Sequence, residues 1–277
     1  MLRSRIIPCL LIHQKGLVKT VRFSDPKYVG DPINAVKIFN EKEVDELIVL
    51  DIDASVQGRG PDYTTIRHLA AECRMPFCYG GGIRTVEQAI EIITLGVEKV
   101  ALSSGAIETP ELVTKVSDKI GGQSVVVVLD VKKNEEKKYE VWTHNGTKNT
   151  HKSPVQWAVE FEALGAGEIV INSIDKDGMM NGYDEDLVRA VHEVITIPLT
   201  ALGGAGSHND LKDLIATFGT IGVAAGSLFV FKGIYKAVLI TYPSRSEKYH
   251  LGVVENRESD TFAPCETLLN TKSRNKR

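Results

Sequence analysis

Four sets of residues in this 277-residue chain have the types and spacing to do chemistry. The first is a single acid, Asp130, closing the run Val125-Val126-Val127-Val128-Leu129. An acid ending an apolar strand reaches a site where partial burial lifts its pKa toward the acid/base range. The alternative is a carboxylate that fixes a loop. The second set is two glycine stretches, Gly80-Gly81-Gly82 and Gly203-Gly204-Ala205-Gly206. Each follows an apolar run begun by proline, Pro76 to Tyr79 and Pro198 to Leu202, and each precedes a helical pattern. Backbone N–H groups freed at such a junction suit a phosphate. One stretch alone equally fits a tight turn; two at equivalent places in a duplicated chain say more.

The third is Lys19, on the first loop, where an ammonium neutralises an anionic ligand or simply stays solvated. The fourth is Arg5, Glu46, Lys99 and Glu168, at the starts of apolar runs one, two, four and six. Pointing inward they cannot stay unpaired, and two cations with two anions close a neutral ring. Pointing outward they are surface charges, and spacing does not choose. Asp51, Asp53, Asp175 and Asp177 end the second and sixth runs. Asp177 fits either a functional or a turn-forming role, and Asp51 reads first as structural.

The elements that must position these residues alternate strand and helix. Arg5 to Ile12, Glu46 to Asp51, Pro76 to Tyr79 and Lys99 to Leu102 read as buried strands. Ser124 to Asp130, Glu168 to Asn172, Pro198 to Leu202 and Ile221 to Ala225 complete eight. Gly16 to Val21 folds over the end of the first. Asp31-Pro32, Asp62, Thr85 with Gln88, Thr109-Pro110, Ser153 with Gln156 and Ser207 read as helix starts. Tyr139 to Thr143 with Asn145-Gly146 suggests an inserted hairpin.

The halves repeat. Pro198 lies 122 residues after Pro76, and Gly203 lies 122 after Gly81. Asp45 to Asp53 matches Gly167 to Asp175 at the same offset. Eight such units in two halves predict a single (β/α)8 barrel over residues 1–242 rather than an open doubly wound sheet, with the site at the C-terminal ends of the strands. Residues 243–277 are polar and read as a mobile tail that adds little to the core.

The net charge of −3 gives no footprint of a nucleic-acid binder. No apolar run approaches a membrane span or a signal segment. Cys9, Cys73, Cys78 and Cys265 lack zinc spacing and read as reduced thiols of a cytoplasmic protein. No metal and no cofactor is expected.

Together these pieces resemble the cyclase subunit of imidazole glycerol phosphate synthase over residues 1 to 242. The resemblance rests on Arg5 to Leu10, Gly30-Asp31-Pro32, Asp45-Glu46-Leu47, Gly80 to Ile83, Val125 to Asp130, Gly165 to Ile169, Ser173 to Gly178 and Gly203 to Gly206. It implies a glutaminase of class I docked at the N-terminal face, and ammonia passing a gate that matches Arg5, Glu46, Lys99 and Glu168. It also implies a phosphorylated ligand held at the top. Binding positions would be Lys19, Asp51, Gly81, Gly82, Ser103, Ser104, Asn172, Asp177, Gly203, Gly204, Gly226 and Ser227.

Asp130 matches one of the family's two catalytic aspartates. At the other, the end of the first strand, this chain has Leu11, which cannot move a proton. Ser103, Asn172 and Leu202 also depart from the family. Losing one positioned acid/base costs about 10²–10⁴-fold in rate. Gate and cradles kept beside damaged chemistry resemble the paralogues associated with acetamidino modification of lipopolysaccharide sugars. There, ammonia would go to a separate amidotransferase. Three other readings stand beside this one: a histidine-pathway cyclase with Asp51 as substitute acid, a phosphosugar isomerase, and a non-catalytic scaffold.

Overall fold

The computed structural model describes residues 3–253. Eight parallel strands close on themselves: β1 Arg5–His13, β4 Leu47–Asp51, β5 Phe77–Gly80, β6 Lys99–Leu102, β7 Val125–Lys133, β10 Glu168–Ser173, β11 Leu199–Leu202 and β12 Gly222–Ala225. Closure is set by β7 against β10, with Glu168 opposite Val126 and Asn172 opposite Asp130. The (β/α)8 barrel is thus the fold. Two antiparallel additions lie on this frame. β2 Gly16–Val21 folds back on β1 and pairs with β3 Ser24–Gly30. β8 Tyr139–Thr143 pairs with the outer end of β7 and with β9 Lys148–Asn149. β3 is an addition to the sequence reading, which stopped at Val21.

Helices α1 Pro32–Glu41, α2 Tyr63–Glu72 and α3 Val86–Thr94 start where the sequence places caps. The Asp31, Asp62 and Thr85 side chains accept from Asn34, Thr65 and Gln88 backbone N–H groups. α4 Ser104–Glu108 was not foreseen. It occupies the stretch before α5 Glu111–Ile120, so Thr109 makes no cap bond and Pro110 itself takes the N-cap. α6 Pro154–Ala163 and α8 His208–Phe218 carry capping boxes at Ser153 and Ser207, and α7 Glu185–His192 is capped by Asp184.

After β12 come the short α9 Ser227–Val230 and the ribbon β13 Phe231–Lys232 with β14 Ala237–Val238. The chain then does not leave the barrel at 242. α10 Arg245–His250 is capped by Ser244, and Lys248, Leu251 and Val253 are buried. The first residues of the tail thus pack on the barrel; the rest of it, with Cys265, lies outside the described residues.

Side-chain alternation separates two cores. Outward residues such as Ile6, Leu10, Val49 and Val127 meet helix residues such as Phe39, Leu69 and Phe161. Inward residues form a second apolar cluster inside the barrel: Ile7, Cys9, Ile48, Cys78, Ala101, Val126, Val128, Val170, Leu202 and Ala224. Polar residues lie on the same inward rows at both ends. Arg5, Glu46, Lys99 and Glu168 lie at the N-terminal end, and Asp130 and Asn172 at the C-terminal end.

Candidate functional site

The floor of the barrel is a closed set of ion pairs. Arg5 donates to Glu46 through Nη1 and to Glu168 through Nη2, the latter at 2.8 Å. Lys99 Nζ reaches Glu46 at 2.8 Å and Glu168 at 2.9 Å. Each carboxylate is therefore bridged by both cations, and the four charges cancel. Glu46 and Glu168 are buried. Burial opposes ionisation of Glu168, but Arg5 and Lys99 outweigh it and hold its carboxyl below the ordinary range. Thr200 Oγ1 also donates to Glu168, at 2.6 Å. Sequence reasoning missed Thr200. Its signal was a hydroxyl in the inward phase of an otherwise apolar strand. Gly222 leaves the room for it, since a Cβ there would lie 1.9 Å from the hydroxyl.

Above the floor the inward residues form a packed apolar cluster along the barrel axis. Its thiols are held protonated by their surroundings: burial pushes Cys9 up to about 11 and Cys78 well above its usual range. At the C-terminal ends of the strands this cluster meets a cavity. Asp130, Leu11 and the twelve expected binding positions, from Lys19 to Ser227, all line it. Cys9, Leu50, Val128 and Leu202 form its base.

Asp130 is recessed among apolar neighbours and half-buried. Burial raises its pKa to about 7, although a hydrogen bond from Asn172 pulls the other way. Asn172 Nδ2 donates to Asp130 Oδ1 at 2.8 Å, and Asn172 Oδ1 has no partner. The acid can therefore hold or release a proton at neutral pH. Leu11, half-buried, offers an apolar surface in the same cavity.

Two other acids in the cavity are committed elsewhere. Asp51 pairs with Arg59 at 2.9 Å and accepts from the Asp53 and Ala54 backbone N–H groups at 3.0 and 3.2 Å. Its role is to brace the loop after β4. Asp177 accepts from Thr20 Oγ1 at 2.7 Å and from Phe23 N at 3.2 Å, so it latches the β2–β3 turn across the mouth. Gly178 allows that approach, since a Cβ there would lie 2.1 Å from the Thr20 carbonyl. Asp53 holds His13 and Gln14, and Asp175 accepts from Lys133 N.

Lys19 is buried, not solvated. Its ammonium donates to the Cys9 carbonyl, and a Cβ on Gly226 would come 2.4 Å from it. Burial lowers its pKa, with Asp177 opposing. A cation so placed suits an anionic ligand in the cavity.

The glycines have a packing reason independent of any ligand. Gly82 and Gly204 sit at φ 71° and 109°, and a Cβ would lie 2.6 Å from the Arg59 carbonyl and 2.2 Å from the Gly182 carbonyl. Ser103 and Gly105 lie beside the first stretch, and Gly226 and Ser227 beside the second. Ser104 Oγ accepts from His144 N at 3.1 Å, which ties the β8–β9 turn to the rim. That turn brings Asn145 into the cavity, where the sequence reading saw only a hairpin. Among the described residues no group of His, Cys, Asp and Glu could hold a metal ion, and no helix is long and apolar enough to cross a membrane.

The family model described as "Histidine biosynthesis protein" matches residues 5–236. The protein named "Putative imidazole glycerol phosphate synthase subunit hisF3" from Vibrio vulnificus is 57% identical over 249 residues, 90% of this chain and 96% of that one. A Leptospira interrogans protein named "Putative imidazole glycerol phosphate synthase subunit HisF" is 56% identical, covering 90% and 98%. The imidazole glycerol phosphate synthase subunit HisF of Natranaerobius thermophilus is 40% identical, covering 88% and 97%.

Proposed function

The chain belongs to the histidine biosynthesis protein family, as a barrel of the cyclase-subunit type, and we propose that it conducts ammonia without closing an imidazole ring. In this reading a class I glutaminase docks on the N-terminal face and releases ammonia below Arg5, Glu46, Lys99 and Glu168. The apolar barrel axis is proposed as the shaft for ammonia: an unpaired charge among Ile7, Ile48, Cys78 and Val126 is strongly disfavoured, so ammonium is excluded and neutral ammonia is admitted. The ammonia leaves at the mouth beside Asp130 and is consumed in amidation of a surface-polysaccharide sugar by a further amidotransferase, in the cytoplasm. Lys19 and the two glycine stretches are proposed to hold a phosphorylated group.

The observation that carries the reading is an asymmetry between the ends of the shaft. The floor is a complete, neutral ion-pair ring. Of the three acids lining the mouth, Asp51 and Asp177 are committed to loop contacts, and Leu11 offers no second proton carrier beside Asp130. A histidine-pathway cyclase with Asp51 as substitute is disfavoured by the salt bridge and the two backbone hydrogen bonds that occupy Asp51.

The test has two arms. The purified barrel is supplied with the cyclase substrate and ammonium salts, and no ring closure is expected. It is also mixed with a class I glutaminase from the same organism, and a complex with raised glutaminase activity is expected. Turnover near the rate of a histidine-pathway cyclase would overturn the loss of ring closure. Failure to bind or stimulate the glutaminase would overturn ammonia conduction.

A further inference from the structure

The last described segment of the chain is bonded to one side of the floor ring. Arg5 begins β1, and Glu46 immediately precedes β4. These two strands are neighbours, but their pairing begins only at Cys9 opposite Ile48. Below that point the seam is joined by side chains. Ile6 N donates to Asp45 Oδ2 at 3.0 Å. The Tyr242 hydroxyl donates to the Ile6 carbonyl at 2.9 Å and accepts from Asp45 N at 3.0 Å. Lys248 Nζ then donates to Asp45 Oδ1 at 2.7 Å and to the Glu43 carbonyl at 3.2 Å, and lies 4.7 Å from the centre of the Tyr242 ring.

Lys248 is buried although it comes from a short, otherwise polar helix. A buried ammonium is retained at a cost unless its partners are well placed. Here every partner belongs to the seam. Ile6 and Asp45 are the chain neighbours of Arg5 and Glu46, so fixing their backbones fixes where those two side chains start. The opposite side of the ring is held differently. Glu168 lies within the β7–β10 ladder and is bonded by Thr200, and Lys99 lies opposite Cys78 in the β5–β6 ladder.

We infer that Asp45, Tyr242 and Lys248 are positioning residues of the ring, and that the ring opens by separation of Arg5 from Glu46 when this clamp loosens. The inference rests on the reading of the ring as a gate. A passage must form because the bridged ring leaves no pair unmade, and it forms at lowest cost where side chains rather than ladder bonds hold the strands.

Two thiols report the two ends of the shaft. Cys9 lines the mouth cavity, while the Cys78 thiol lies deeper and feels the charges of Glu46, Lys99 and Glu168. The full-length protein is treated with methyl methanethiosulfonate, a small neutral thiol reagent, and labelling of each cysteine is followed by peptide mass spectrometry. Tyr242→Phe removes the hydroxyl that makes two seam bonds, and Lys248→Met removes the ammonium. Each is expected to speed Cys78 labelling about tenfold, as the loss of one to two hydrogen bonds implies, with Cys9 unchanged. Lys248→Arg is expected to stay near the wild-type rate. An unchanged Cys78 rate, or a rise at Cys9 in the same proportion, would overturn the inference. The labelling uses no ammonia, so failure of ammonia conduction and failure of the clamp are read separately.

Discussion

Asn172 donates a hydrogen bond to Asp130 across two neighbouring strands, residue opposite residue, at 2.8 Å. The amide can make that bond to either protonation state of the acid. It orients Asp130 and favours the carboxylate, but burial outweighs it and sets the pKa near 7.

That shift has a consequence for stability. The carboxyl ionises at about 4 in the unfolded chain and at about 7 in the fold. Between those values the folded state binds more protons, so Asp130 makes the protein less stable as pH rises through that window. Asp177 and Lys19 are the charges facing it. Asp130→Asn should therefore gain in melting temperature relative to wild type between pH 4 and pH 8. Thermal melts across that range check it; a difference that does not vary with pH would count against a raised pKa.

The ring predicts a coupled pair. Lys99→Met leaves Glu46 and Glu168 sharing Arg5 alone, and an uncompensated buried charge costs about 3–5 kcal/mol. Combining it with Glu46→Gln removes the surplus charge. The double variant should be more stable than Lys99→Met by urea unfolding. Additive losses would mean that the four residues do not act as a unit.

Gly204 and Gly219 separate crowding from backbone strain. Both have positive φ, at 109° and 72°, but a Cβ meets the Gly182 carbonyl at 2.2 Å only at Gly204. At Gly219 nothing lies within 4 Å. Gly219→Ala should cost about 1–2 kcal/mol from the left-handed backbone alone, and Gly204→Ala clearly more. Equal losses in denaturant titration would remove the packing account of the second glycine stretch.

The latch on the mouth is open to proteolysis. Asp177 holds Thr20 and Phe23 by its side chain and Arg22 by its backbone carbonyl. Asp177→Ala should free the β2–β3 turn and speed tryptic cleavage after Arg22 several-fold, while the melting temperature changes little. Timed digestion read by mass spectrometry checks this. An unchanged cleavage rate would show that the turn is held by other contacts.

Much of this architecture is legible along the chain because its causes are local. Apolar runs of four to eight residues, caps at Asp31, Thr85, Ser153 and Ser207, and the 122-residue repeat each depend on neighbours in sequence. Together they imply the barrel, and the barrel rule alone sends Asp130, Asn172 and the glycine stretches to one end. The capping of α5 was misread because Thr109-Pro110 carries a valid local signal that the unforeseen α4 overrides.

What sequence could not decide was which partner each charge takes. Arg5 and Glu168 are 163 residues apart, so only barrel closure turns four charges at strand starts into a ring. Asp51 and Asp177 look alike as acids at strand ends, and tertiary contacts assign one to Arg59 and the other to Thr20. The polar stretch after Tyr242 has no periodicity to betray a core contact, yet Lys248 is buried against Asp45, 203 residues away. Local pattern sets which element forms and which way its side chains alternate. The balance between desolvating a charge and pairing it is settled only when distant segments meet.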